Sequence, residues 1–149
     1  MAVSTTQSIW RSGGGDQTRT AYCGSGVMAA QFYIADASVA TATNVTVSNG
    51  GPALILPAGA VVLSVAINDA GSGSVDLGTR GYNSGTVTGA AIANNLSVAS
   101  AGVVTSGLTL TATTEMSYVT VTIDTSGAGT VGGYITYFVV DPLAGQQNV

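Results

Sequence analysis

Apolar and polar positions alternate along most of this chain with the period of strands, not of helices. Ala29-Ala30-Gln31-Phe32-Tyr33-Ile34 is an early run, and Thr43-Asn44-Val45-Thr46-Val47-Ser48 alternates strictly, as a half-buried strand does. Asn49-Gly50-Gly51-Pro52 has turn chemistry. Ala53-Leu54-Ile55-Leu56 leads into a second turn, Pro57-Ala58-Gly59. Residues 60–68 are the most hydrophobic stretch, and β-branched Val61, Val62, Val65 and Ile67 suit a buried central strand. Ser74-Val75-Asp76-Leu77-Gly78-Thr79 alternates again, as a hairpin partner would. From Arg80 to Ser100 the pattern breaks, and Gly81, Gly85 and Gly89 predict a long loop with one short helix over Ala90-Ala91-Ile92. Strands resume at Val103-Val104, at Leu108-Thr109-Leu110-Thr111, over 118–124 and over 134–140. About eight strands at such spacings predict an all-β protein, a two-sheet β-sandwich of jelly-roll-like form.

The first twenty residues differ. They hold Trp10, Arg11, Arg19 and the run Gly13-Gly14-Gly15, which favours irregular or extended backbone. The division predicted is an extended N-terminal arm over 1–20 and a β-sandwich domain over 21–149. A plain flexible tail is the alternative for the arm. Trp and Arg are enriched where partners bind tightly, so Ile9, Trp10, Arg11 and Arg19 are candidate partner-binding residues. Tyr22 and Tyr82, each close to glycine, join them.

Composition turns this pattern into a statement about surfaces. The 149 residues include three arginines, no lysine, no histidine and seven acidic residues, for a net charge of −4. Charged residues are 7% of the chain, against about 25% in ordinary domains. An acidic chain so poor in cations has no footprint for phosphates, so no nucleic acid is expected as partner. Without histidine or lysine there is no imidazole base, no Schiff-base amine and no zinc site of the His or multi-Cys kind. Cys23 is alone, so no internal disulfide forms. No apolar run reaches 18 residues and the start lacks a leader pattern, which predicts no membrane span and synthesis in a cytoplasm. A surface of Ser, Thr, Gly and Asn without the usual mixed charges predicts extensive burial against partners.

Candidate chemistry is thin. Asp16, Asp36, Asp69, Asp76, Glu115, Asp124 and Asp141 are the acid–base groups available, and no spacing singles out a catalytic pair. Asp76 stands apart because it lies inside an alternating strand. Asp69-Ala70-Gly71-Ser72-Gly73 offers oxygen ligands but not a full calcium loop. Asn44-Val45-Thr46 and Asn95-Leu96-Ser97 match the glycosylation pattern, which chains of this composition produce by chance. Tyr82-Asn83 would suit stacking against a sugar, so a carbohydrate-binding module is a further reading.

Leu56-Pro57-Ala58-Gly59-Ala60-Val61-Val62 followed by Ser74-Val75-Asp76-Leu77-Gly78-Thr79 resembles a recurring pattern in small structural proteins of tailed bacteriophages. So do the strand from Leu108 to Glu115, Tyr118-Val119-Thr120-Val121-Thr122, and Gly132-Gly133-Tyr134-Ile135-Thr136-Tyr137-Phe138. The resemblance covers roughly residues 50–142. Such proteins are similar to head decoration (cement) proteins, β-sandwich subunits on the outside of an icosahedral capsid. The resemblance implies no enzymatic activity, no cofactor and no metal. It implies the major capsid protein and sister copies as partners, the latter in a homotrimer, and a place on the virion exterior. A tail or adaptor subunit and a head-fibre base are alternatives within the same class.

Overall fold

Alternation becomes strand where one face can be buried, and nine strands form among the described residues. The computed structural model describes residues 27–35, 42–123 and 129–140. The strands are β1 Met28–Ile34, β2 Thr43–Asn44, β3 Ile55–Leu56, β4 Ala60–Asp69, β5 Ser74–Gly81, β6 Val87–Ser97, β7 Gly102–Val104, β8 Ser117–Ile123 and β9 Val131–Val139. None of the described residues is helical. All pairing is antiparallel, in two sheets. The first has the order β1-β9-β4-β7. The second runs β2-β8-β5-β6, with β3 also paired to β8. β2 and β3 thus share one strand position, beside opposite ends of β8.

The inner faces meet in one core. Phe32, Ile34, Val62, Val65, Ile67, Val131 and Ile135 from the first sheet pack with Val75, Leu77, Ile92, Leu96, Val119 and Val121 from the second. Period-two burial along β1, β5 and β8 places these side chains inside. The packing is close enough to forbid a methyl group. At Gly133, in the middle of β9, an added Cβ would overlap the Ala66 carbonyl oxygen on β4 and come 3.1 Å from Phe32 Cε1.

Three sequence expectations are corrected. Thr43-Asn44-Val45-Thr46-Val47-Ser48 is not one strand. Its ladder with β8 covers Thr43–Asn44, with one further bond from the Val45 N–H to the Val119 carbonyl, and Thr46 then crosses to bridge Tyr33 of β1 and Ala53. Strict alternation could not show this, because the segment serves both sheets in turn.

The segment from Arg80 to Ser100 is no loop and holds no helix at 90–92. It contains β6, whose phase is broken twice. Six residues, from Thr88 to Ala93, face only the step from Thr79 to Leu77 on β5. Within that excursion the Thr88 and Gly89 backbone lies over the outside of Gly78, where an added Cβ would overlap both carbonyl oxygens. Thr120 stands opposite Gly78 and is therefore fully buried, although its side chain is on the outer face. The second break is at Asn94 and Asn95, two residues against Asp76 alone.

Leu108-Thr109-Leu110-Thr111 is also not a strand. Leu108 bridges Ala93, Leu110 adopts φ 55°, and the chain then turns to the other sheet. There the Thr113 hydroxyl donates to the Pro57 carbonyl at 2.6 Å and accepts the Ala60 N–H at 3.0 Å. The long β7–β8 connection thereby fastens the turn that leads into β4.

Candidate interaction surfaces

With Val75 and Leu77 in the core, Asp76, Gly78 and Arg80 of β5 point out of the second sheet. Register then lines up Ile55 of β3, Tyr118 of β8, Arg80 of β5 and Val87 of β6 in one row across that face. Tyr82 and Met116 flank the row, joined by a 2.9 Å bond from the Tyr82 N–H to the Met116 carbonyl. The Tyr82 and Tyr118 rings lie 5.6 Å apart between centroids. Ile55, Tyr82, Val87 and Met116 are 38%, 49%, 46% and 39% exposed. Arg80 is the one cation among the described residues. Its guanidinium is steadied by bonds to Asn44 Oδ1 and the Ala42 carbonyl, each 3.3 Å. Tyrosine, methionine and a held arginine around an apolar patch is the composition of a protein-binding surface.

The turn that carries Tyr82 is fixed by Glu115. The Ser84 hydroxyl and the N–H groups of Asn83 and Ser84 all donate to its carboxylate. The Ser84 hydroxyl first, and then the Asn83 N–H, hold the Glu115 pKa below its ordinary value, outweighing a small opposing effect of burial. A lowered folded-state pKa stabilises above the unfolded value and is lost as pH falls through the folded one. Acidification below the usual glutamate range is therefore expected to loosen the 82–85 turn. NMR shifts and amide exchange of Asn83 and Ser84 should report a titration there that Glu115→Gln abolishes.

The other sequence candidates fall as follows. Tyr82 is on the surface patch, whereas Ile9, Trp10, Arg11, Arg19 and Tyr22, like Cys23, lie outside the described residues. Asp76 has a structural partner: its Oδ1 accepts the Asn95 N–H at 2.8 Å. That bond closes the β6 bulge, where Asn95 takes φ 56°, a region asparagine tolerates better than most residues. Asn44 and Asn95, from the two glycosylation matches, are thus both engaged by other residues. Among the described residues no three His, Cys, Asp or Glu side chains converge. A cavity of about 190 Å³ lies between β6 and residues 111–114, lined by hydroxyl and small apolar groups of Thr79, Thr88, Ala91, Ile92, Thr113 and Ser117.

The outer face of the first sheet is different in kind. Its cross-strand rows are Tyr33–Gly132–Asp69, Gln31–Tyr134–Ala66–Val103 and Ala29–Thr136–Ser64. Asp69 is the one charge in them, and Tyr134 and Val103 are exposed.

Of the residues in this patch, the sequence singles out Tyr82 and not Ile55, Val87, Met116 or Tyr118. Phase was the available signal for two of them. Ile55 lies out of step with buried Leu54 and Leu56, and Tyr118 with buried Val119 and Val121.

No protein-family model matches this chain, and no curated protein matches its sequence. Two solved structures are similar to it. One is a chain of the cyanophage Pam1 capsid asymmetric unit, 20% identical, with a TM-score of 0.48 over 78% of this chain and 87% of that one. The other is a chain of the Ralstonia phage GP4 capsid, 20% identical, with a TM-score of 0.47 over 84% of this chain and 91% of that one.

Proposed function

We propose that this protein is a non-enzymatic structural subunit of a tailed-bacteriophage virion. Within that class, we read it as a head decoration (cement) protein that binds the outer capsid surface and stabilises the shell. The sequence resemblance over roughly residues 50–142 supports the class. The strand orders β1-β9-β4-β7 and β2-β8-β5-β6, read as a jelly roll, agree with it. The observation that carries the role is the patch of Ile55, Tyr82, Val87, Met116 and Tyr118 around Arg80 on an otherwise charge-poor sandwich.

The second-sheet face is laid against the capsid lattice, where few charges need desolvation. Residues 1–20 act as an arm to a neighbour, residues 21–149 form the sandwich, and sister copies associate as a trimer. Binding the assembled lattice in preference to free capsid subunits favours the closed shell by mass action.

Co-sedimentation with undecorated shells tests this. The wild-type protein should saturate them, and Tyr82→Ala should weaken attachment by about thirtyfold, the size of a hot-spot loss near 2 kcal/mol. Attachment untouched by Tyr82→Ala and Arg80→Ala would remove the patch from the contact. Self-assembly into tubes without shells would instead establish the tail-subunit reading.

A further inference from the structure

Burial against a shell would occupy one face of a sandwich whose two sheets stand about 10 Å apart. The first sheet's outer face would then look into solution, and Gly132 leaves a gap among its side chains. Beside that glycine an added Cβ would meet Asp69 Cβ at 3.7 Å and Tyr33 Cδ2 at 3.9 Å, so the two side chains wall a space one methyl group would fill. Gln31 and Tyr134 pair in the adjacent row. The small Ala66 lies on its other side, and Tyr134 is 42% exposed.

We propose that this saddle of Tyr33, Gln31, Asp69 and Tyr134 around Gly132 binds one residue of a neutral glycan through a vicinal diol. A sugar ring has an apolar face of C–H bonds carrying slight positive charge, and these are attracted to the negative face of an aromatic ring. Its edge carries hydroxyl pairs that need acceptors and donors. Exposed Asp69 accepts from two adjacent hydroxyls, and the Gln31 amide both donates and accepts. A protein partner would seek larger apolar anchors, such as those on the second sheet. Here the surroundings are Thr136, Ser64 and alanines, and no cation lies among the described residues of this face to recruit an acidic sugar. The proposal borrows from the decoration reading only the direction in which this face looks. The binding itself is a property of the free protein.

The full-length protein tests it by saturation-transfer NMR against neutral oligosaccharides of glucose, galactose and mannose. Dissociation constants of about 1 mM or tighter are expected for at least one. Tyr134→Ala should weaken binding by at least about tenfold, and Gly132→Ala and Asp69→Asn by several-fold. An Ala-sized Cβ at Gly132 meets nothing closer than 3.7 Å, so circular dichroism should stay unchanged while the saddle is filled.

Tyr82→Ala should leave sugar binding intact while reducing shell attachment, which separates this proposal from the decoration reading. The saddle is refuted if no neutral sugar binds at about 10 mM, or if binding follows Tyr82 rather than Tyr134. It is equally overturned if Tyr134→Ala converts an oligomer to monomer in sedimentation, since the face would then be a contact between copies.

Discussion

Gly133→Ala is expected to lower the melting temperature by about 6–12 °C, the largest effect of any single methyl group in the described fold. The reason is positional. Gly133 lies in β9, between β1 and β4, and opposite Ile67. Its missing Cβ is the space taken by the Ala66 carbonyl oxygen. A flexible side chain could move aside, but backbone bound into a central ladder cannot. Overpacking of this kind costs up to about 3 kcal/mol, and a domain of this size loses about 2–4 °C per kcal/mol. Gly89→Ala is the control: nothing lies within 4 Å of its added Cβ, and thermal denaturation should match wild type within about 1 °C.

Phe32→Ala is the second. Phe32 is fully buried in β1, with its ring edge over Gly133, and removing it should cost about 3–5 kcal/mol in chemical denaturation. The pair separates two causes of strain. If Gly133→Ala were destabilising because it pressed on the Phe32 ring, the double variant would regain stability. The Ala66 carbonyl is the obstacle instead, so the double variant should be at least as unstable as Phe32→Ala alone. Recovery would transfer the clash to the ring.

These positions show where sequence was legible. Strands β5, β8 and β9 were readable because a two-residue period survives in Val75 and Leu77 or in Val119 and Val121, whereas β4, whose ladder to β9 shifts twice, was readable from its density of β-branched apolar residues. β6 was not readable, because the fold over Gly78 and the Asn94–Asn95 bulge each reset its phase. Its buried residues Ile92, Ala93 and Leu96 lie three and four apart, the spacing of a helix face and not of a strand. The residues 43–48 failed for the opposite reason: a perfect alternation was divided between two sheets.

A chain without lysine lacks the usual guard on sheet edges, yet this one covers parts of its own. Thr46 bridges the outer side of β1, residues 107–109 bond to β6, and β7 is only three residues long. Low charge therefore directs attention to the sheet faces more than to the edges. On the second-sheet face, Tyr82 was legible because glycine precedes it and it lacks a strand phase. The aromatic and apolar row beside it required the register to be known.

The place of β9 constrains how the protein is made. The last described strand is the one between β1 and β4, so the first sheet cannot close until β9 itself has left the ribosome. Roughly 100 residues separate Ile34 from the end of β9, and at about 5–20 residues per second that is a wait of about 5–20 s. Until β9 arrives, β1 and β4 each lack the neighbour they will bond, although every strand of the second sheet that covers Phe32, Val65 and Ile67 has by then been made. During rapid synthesis, nascent chains side by side could pair through those open strands. The yield of native protein should therefore depend on the spacing of ribosomes along the message as well as on the stability of the finished sandwich.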